Sequence, residues 1–258
     1  MRRTLSLLAA AGLIVGIATP AAAQFLNRPY VAGALTGKVV FADVGGLDVE
    51  TADADGSLLF SIANPGVNIQ LDASFENVFD APAGIPESEA WSFSGEIFWR
   101  DAKGTFGVSV GTRADDAFDG SFDTASYSLF GEYYVNPMFT VQGKAGWFDT
   151  DTPRGGYFAS AGATVYFLRN IAWSVGVDYR RIDNPETNVM TYSADVEFLP
   201  YPEIPASFFV GYAYTDFENL PESKAAIAGV RVYFGGGGSS GTLLDRHRSG
   251  PVRNANML

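Results

Sequence analysis

The residues that carry acid–base, nucleophilic or metal chemistry are scarce in this sequence. Its 258 residues include no cysteine and a single histidine, His247. Without cysteine there is no disulfide framework, no thiol nucleophile and no cysteine-based metal site. A single histidine argues against the usual His-dependent triads and multi-His metal clusters. The formal net charge of −12 argues against nucleic-acid binding, because phosphate recognition needs a basic surface.

Carboxylates are the remaining candidates for catalysis. Asp195 and Glu197 are two residues apart, which places both on one face of a strand and would suit acid–base chemistry. A carboxylate near an inward Arg180 or Arg231 is more often a member of an ion pair. His247 follows the last predicted strand, so we expect it to be solvated and inert. We therefore predict no enzyme activity, no catalytic residue and no cofactor.

Two acidic stretches are candidates for calcium-binding loops. Asp53-Ala54-Asp55-Gly56 and Asp149-Thr150-Asp151 both lack the length and the closing glutamate of an EF-hand loop. We predict no metal site.

The first residues have the pattern of a bacterial secretory signal. Arg2 and Arg3 precede an apolar run over residues 5–18, and Pro20-Ala21-Ala22-Ala23 then provides an A-x-A cleavage site before Gln24. We predict that residues 1–23 are a cleaved signal peptide. No cysteine stands at the cleavage point, so no lipid anchor is expected.

The rest of the chain alternates apolar and polar residues with period two, the pattern of half-buried β-strands. Within 91–99, for example, Trp91, Phe93, Ile97 and Trp99 alternate with mostly polar residues. The pattern predicts about twelve strands, over residues 35–43, 57–63, 67–75, 90–100, 105–113, 124–135, 138–148, 156–167, 171–181, 189–199, 206–216 and 224–234. Ten strands would follow if 35–63 form a plug or an external hairpin. Short turns alternate with longer polar loops at 45–56, 76–89, 114–123, 149–155, 182–188 and 217–223, as in an up-and-down meander.

Two architectures accommodate such strands: a soluble sandwich or barrel with an apolar core, and a membrane barrel with an apolar outer surface. Strands of about ten residues and charges within the polar face favour the membrane barrel. Aromatic girdle residues are predicted at Trp91, Trp99, Phe139, Trp147, Tyr157, Phe167, Trp173, Tyr192 and Phe198. We predict an all-β, closed up-and-down antiparallel transmembrane barrel over 24–234. A secreted soluble β-protein is the alternative.

The last predicted strand ends in Gly229-Val230-Arg231-Val232-Tyr233-Phe234. This ending resembles the terminal signature of bacterial outer-membrane β-barrel proteins, with Gly229, Tyr233 and Phe234 as the signature residues. The resemblance implies an outer-membrane location, insertion by the barrel-assembly machinery, and contact with outer-membrane lipid and lipopolysaccharide. The family usually stops at the aromatic residue, whereas here residues 235–258 follow. We predict that they are a Gly-rich linker and a short, basic, disordered tail on the periplasmic side.

Strand parity assigns six basic and six acidic side chains to the lumen. These pore-lining candidates are Lys38, Asp72, Glu96, Arg100, Arg113, Glu132, Lys144, Asp178, Arg180, Asp195, Glu197 and Arg231. Most of the remaining acids fall in the predicted long loops, where they would concentrate cations at the external mouth. We predict a porin-like passive channel for small solutes. The alternative is a structural or adhesive barrel whose lumen is closed by ion pairs.

Overall fold

The computed structural model describes residues 29–62, 65–80, 88–117, 120–151, 155–183, 186–218, 220–235 and 241–252. The predicted signal peptide and its cleavage site lie outside these residues. Within the described part of the chain, no helix is long and apolar enough to cross a membrane.

Twelve antiparallel strands close into a barrel in which strands adjacent in sequence pair and β12 returns to pair with β1. The strands are β1 (Tyr30–Val44), β2 (Leu47–Ser61), β3 (Gly66–Asp80), β4 (Glu89–Arg100), β5 (Gly104–Ala117), β6 (Gly120–Asn136), β7 (Phe139–Thr150), β8 (Gly156–Leu168), β9 (Ile171–Ile182), β10 (Thr187–Phe198), β11 (Ala206–Phe217) and β12 (Ser223–Gly235). The predicted closed up-and-down barrel is confirmed. The ten-strand alternative is wrong, since β1 and β2 pair along their whole length and belong to the barrel.

A tight turn at Gly45 and Gly46 joins β1 to β2 and replaces the predicted loop over 45–56. Both glycines have positive φ angles, 61° and 88°, as the central residues of a type I′ hairpin turn require. Asp43 Oδ1 accepts a hydrogen bond from the Gly46 amide at 2.9 Å. The four acidic residues of 47–56 therefore lie on a strand, where Asp48 and Glu50 face outwards and Asp53 and Asp55 face the lumen.

The loops predicted at 76–89 and 114–123 are also shorter than expected. β3 continues to Asp80, β5 ends at Ala117 and β6 begins at Gly120. The apolar alternation fades at these strand ends, whereas the pairing between neighbouring strands continues. We call the end of the barrel that carries Tyr30 and Gly235 the terminal end, and the opposite end, to which these strands extend, the distal end.

The outer surface of the barrel is apolar. Eight of the nine predicted girdle residues are at least 44% exposed there: Trp91, Trp99, Trp147, Tyr157, Phe167, Trp173, Tyr192 and Phe198. Phe139 is half-buried. A soluble β-protein would place such side chains in its core, so this surface does not support the soluble alternative.

The barrel closes along the seam between β1 and β12, where Phe234 covers Gly33. A Cβ atom at residue 33 would overlap the Phe234 ring and come within 2.8 Å of the carbonyl oxygen of Ser57. Gly33 therefore provides the space that the terminal aromatic side chain occupies in the closed barrel.

We expect Gly33→Val to lower the free energy of unfolding by about 1–3 kcal/mol, because the new side chain must displace Phe234 and the β2 backbone. Gly37→Val is the matched control, since it lies on the same face of β1 and nothing lies within 4 Å of an added Cβ atom. Unfolding in urea, followed by the heat-modifiable migration of the barrel on gels, compares the two variants. Equal stability of both would contradict this account of the seam.

A short helix, α1 (Leu243–Ser249), follows β12. Its N-terminus has a capping box: the Thr242 hydroxyl accepts a hydrogen bond from the Asp245 amide at 3.3 Å, and the Asp245 carboxylate accepts one from the Thr242 amide at 3.0 Å. Leu243, Leu244 and Val252 are buried. The prediction of a disordered tail is wrong for 241–252, because this segment folds into the terminal end of the lumen.

Candidate functional site

The candidate functional site is the lumen, whose wall is one face of every strand. Side chains alternate across a strand, so each strand contributes every second residue to this wall. Hydroxyl-bearing side chains such as Ser109 and Ser128 line much of it, while Phe98, Phe130 and Tyr166 fill part of its cross-section. The structure places the twelve predicted lumen residues on this inward face, from the terminal to the distal end.

Ion pairs line the distal half of the lumen. Lys38 Nζ lies 3.0 Å from a carboxylate oxygen of Asp53 and 3.9 Å from one of Asp55. Arg113 Nη2 lies 2.8 Å from Asp115 Oδ1 and 3.1 Å from Glu76 Oε2. Asp178 and Arg180 lie towards the same end, near the end of β9. The distal half thus holds paired charges with acids in excess.

Four of these acids, Asp53, Asp55, Glu76 and Asp115, belong to segments that the sequence predicts as external loops. Their side chains face the lumen in ion pairs instead, so the expected balance of six acids and six bases is wrong. A signal for the first two is present in the sequence, where Asp53, Asp55 and Ser57 alternate with small residues. Alanine and glycine are too weakly apolar to mark an outward face, and the alternation is easily missed.

Charged side chains of both signs lie in the middle of the lumen. Glu96 is 1% exposed, and Lys144 lies within electrostatic range of Glu96, Asp72 and Asp178. Asp72 accepts a hydrogen bond from the Gln70 side-chain amide at 2.9 Å. Charges of both signs therefore face one another at this level, which is the arrangement expected of a constriction.

Residues 241–252 lie across the terminal end of the lumen, and we call this segment the plug. Helix α1 packs beside β8, β9, β10 and β12, and the extended residues after it reach β1, β3 and β4. The plug thus connects opposite sides of the barrel wall. It is the main feature of the site that the sequence analysis does not predict.

Two apolar pockets hold the plug. Leu243 and Leu244 occupy the first, which is formed by Ala34, Tyr166, Ala172, Leu199 and Tyr233. Val252 occupies the second, which is formed by Ala32, Leu59, Phe98 and Phe130, with Tyr30 packed against it. The plug is therefore anchored by apolar contacts at both of its ends.

His247 is buried between the plug and the wall. Its Nδ1 lies 3.0 Å from the Tyr166 hydroxyl, and its Nε2 lies 3.3 Å from Glu197 Oε2. The side chain is 4% exposed. The expectation of a solvated histidine is wrong, because α1 carries His247 into the lumen.

Glu197 is the centre of this polar network. Its carboxylate is fully buried and accepts hydrogen bonds from Ser207 at 2.5 Å, Tyr233 at 2.7 Å and Arg231 at 2.8 Å. The pairing of Glu197 with Arg231 is the ion pair expected from the sequence. Since three strands and the plug meet at one carboxylate, the network couples the plug to the wall.

Two plug arginines bind carbonyl groups at the terminal end. Arg246 Nη2 donates to the carbonyl oxygen of Pro202 at 2.8 Å, and its guanidinium lies 5.1 Å from the centre of the Tyr233 ring. Burial lowers the pKa of Arg246. Arg248 Nη2 donates to the carbonyl oxygen of Asn136 at 2.6 Å. The arginines thereby attach the plug to the turns that join β10 to β11 and β6 to β7.

A polar crevice separates α1 from the wall of β6, β7 and β8. It is lined by Glu132, Tyr134, Thr140, Gln142, Thr164, Tyr166, His247 and Arg248. The plug therefore narrows the terminal end of the lumen. Among the described residues, no group of three or more His, Cys, Asp or Glu side chains is arranged to hold a metal ion.

Comparison with known proteins identifies the fold and no family. No protein-family model matches the chain, and no curated protein matches it. Solved structures do match it. An outer-membrane channel from Pseudomonas putida F1 has a TM-score of 0.57 at 8% identity, over 84% of this chain and 99% of that one.

A KdgM porin has a TM-score of 0.53 at 10% identity, over 77% of this chain and 98% of that one. The same porin in complex with disordered oligogalacturonate has a TM-score of 0.52 at 9% identity, with the same coverage. The fold is that of an outer-membrane β-barrel. At these identities the similarity establishes the fold alone, so function must be argued from the lumen.

Proposed function

We propose that this protein is a porin-like channel of the bacterial outer membrane that passes small solutes. The observation that carries the proposal is the contrast between an aromatic, apolar outer surface and a charged, hydroxyl-lined lumen. The first suits contact with lipid, and the second suits dissolved solutes. Solved structures with the same fold are described as a porin and an outer-membrane channel, which supports the same role here.

Because its number of strands is even, the barrel has both of its chain ends on one side of the membrane. Both of its termini lie at the terminal end, which we assign to the periplasm, while the distal end faces lipopolysaccharide. Residues 1–23 would direct export, 24–234 form the barrel, and 235–258 remain on the periplasmic side. Gly229, Tyr233 and Phe234 would be read by the barrel-assembly machinery.

We further propose that the channel favours cations. The distal half of the lumen contains more acids than bases, since Lys38 is shared by Asp53 and Asp55, and Arg113 by Glu76 and Asp115. An entrance lined by an excess of one charge between low-dielectric protein walls focuses the field and raises the local cation concentration.

Planar bilayer recording tests both parts of the proposal. The full-length chain is compared with a chain cut by a protease at a recognition sequence placed in residues 236–240, so that the plug does not hide a pore. We expect discrete conductance, with a reversal potential in a KCl gradient that shows cation preference. No conductance from either form would contradict the channel, and anion preference would contradict the acidic entrance.

A structural barrel with a closed lumen is the second candidate, and the plug is the observation that favours it. Swelling of liposomes in small sugars separates the two functions. A cut and washed barrel that still excludes sugars and ions would support the structural role.

A further inference from the structure

We propose that the terminal end of the lumen is a peptide-binding site, and that its ligand is the chain's own plug, which binds reversibly. The inference concerns how the lumen is closed. It rests on the proposed channel function only where conductance is the measured quantity.

The wall recognises the main chain of the plug, as peptide-binding sites do. Gln70 pairs with both main-chain groups of Val252: its Oε1 accepts from the amide at 2.7 Å, and its Nε2 donates to the carbonyl oxygen at 3.1 Å. Arg100 Nη1 donates to the carbonyl oxygen of Gly250 at 2.7 Å. The Tyr30 hydroxyl donates to the carbonyl oxygen of the last residue of α1 at 2.8 Å. These contacts fix the path of the bound segment.

The side-chain contacts make the site selective for this sequence. The apolar pocket at β8 and β12 takes the Leu243–Leu244 pair, and the pocket at β2 and β4 takes Val252. Between them, His247 reaches Glu197, and Arg246 reaches a wall carbonyl group. A peptide of the same composition in another order would misplace these groups.

The plug depends on this site for its structure. A helix of seven residues is too short to be stable alone in water, even with a capping box. Much of the contact between the plug and the wall is through hydrogen bonds, which water can replace. Three large aliphatic side chains also occupy apolar pockets: Leu243, Leu244 and Val252. The apolar anchoring of the plug therefore rests on these three side chains, and we infer that the bound and free states exchange.

The connection to the barrel allows the segment to leave and return. Residues 235–241 read Gly-Gly-Gly-Gly-Ser-Ser-Gly, a composition typical of flexible linkers. Gly235 and Gly241, at its two ends, have positive φ angles of 81° and 141°. A ligand on a short linker has a millimolar effective concentration, so we expect the plug to be mostly bound until the linker is cut.

Binding in trans tests the proposal without any measurement of conductance. The full-length chain, folded with a protease site in 236–240, is cut in detergent and washed to remove the released segment. Fluorescence anisotropy then measures binding of a labelled synthetic peptide of residues 241–258. We expect saturable binding to the cut barrel, no binding to the uncut one, and no binding of a scrambled peptide. Absence of binding, or equal binding of both peptides, overturns the proposal.

Two wall variants identify the site. Arg100→Met and Gln70→Leu each remove main-chain contacts of the plug, and we expect each to weaken peptide binding roughly tenfold. Arg180→Met is the matched control: it also removes one lumen arginine, but near the distal end of β9. If only the positive charge of the arginine mattered, both substitutions would change peptide affinity equally. Both would strengthen binding, because the peptide is basic and the lumen loses a positive charge. Equal affinity of the Arg100 and Arg180 variants would overturn the assignment of the site.

Conductance measures the consequence for the lumen. We expect cutting and washing to raise conductance severalfold, and the peptide to reverse the rise when added on the side of the terminal end. Specific peptide binding without conductance in any form would uphold the peptide site and contradict the proposed channel. Conductance that neither cutting nor peptide changes would uphold the channel and contradict the plug.

Discussion

Glu197→Ala is expected to lower the free energy of unfolding of the barrel by about 3–5 kcal/mol, because it leaves buried partners without their carboxylate. Arg231 would lose its 2.8 Å ion pair, and the hydroxyls of Ser207 and Tyr233 would lose their acceptor. The plug would also lose the contact between His247 and the wall. Urea unfolding in lipid vesicles, followed by tryptophan fluorescence, measures the change.

Glu222→Ala is the matched control for this prediction. Glu222 lies in the loop before β12, where hydrogen bonds from Lys224 and Tyr214 lower the pKa of its carboxyl group. Its side chain is 48% exposed, so water screens these contacts and replaces them when the carboxylate is removed. We expect no measurable loss of stability. If both variants unfold at the same urea concentration, the Glu197 network does not stabilise the barrel.

The second large effect is expected on ion selectivity. A variant with Asp53→Asn, Asp55→Asn, Glu76→Gln and Asp115→Asn removes four acids from the distal half of the lumen. Lys38 and Arg113 remain and would set the sign of the local field. We expect the ratio of cation to anion permeability to fall severalfold, to one or below, in the form of the protein that conducts.

Four acids on the outside of the same end provide the matched control. Asp43, Asp48, Asp116 and Asp149 are exposed and lie on the opposite face of their strands from the inward residues. Replacing all four by asparagine removes the same charge, but solvent and salt screen it from the lumen within about 8–10 Å. The reversal potential should change little. An equal shift for both sets would mean that total charge, and not lumen charge, sets the selectivity.

Local alternation of residues was enough to predict the barrel itself. All twelve predicted strands are present, and Trp91 to Trp99 shows why: a side-chain period of two defines both a strand and the face that it turns outwards. The inward orientation of Glu96, Arg100 and Lys144 follows from the same rule. These features depend only on neighbours in sequence, so they can be inferred without tertiary structure.

The ends of the strands were less predictable. The sequence predicts a loop over 45–56, because the outward positions of this segment include alanine and glycine, which carry little hydrophobic signal. In the barrel, each residue from Leu47 to Ser61 is opposite a residue of β1, and the hydrogen bonds of that ladder hold the segment as a strand. Pairing with a partner strand decided that Asp53 and Asp55 line the lumen.

Residues 241–252 show what local sequence did not determine. Their composition is that of a short basic tail after a flexible linker, and seven helical residues have little stability of their own. The pockets around Leu243 and Val252, and the carboxylate that faces His247, are built from strands far apart in sequence. The sequence by itself determined a barrel with an apolar outside and a charged inside. The tertiary structure decided that its terminal end is occupied, because the site for the plug exists only once the twelve strands have closed.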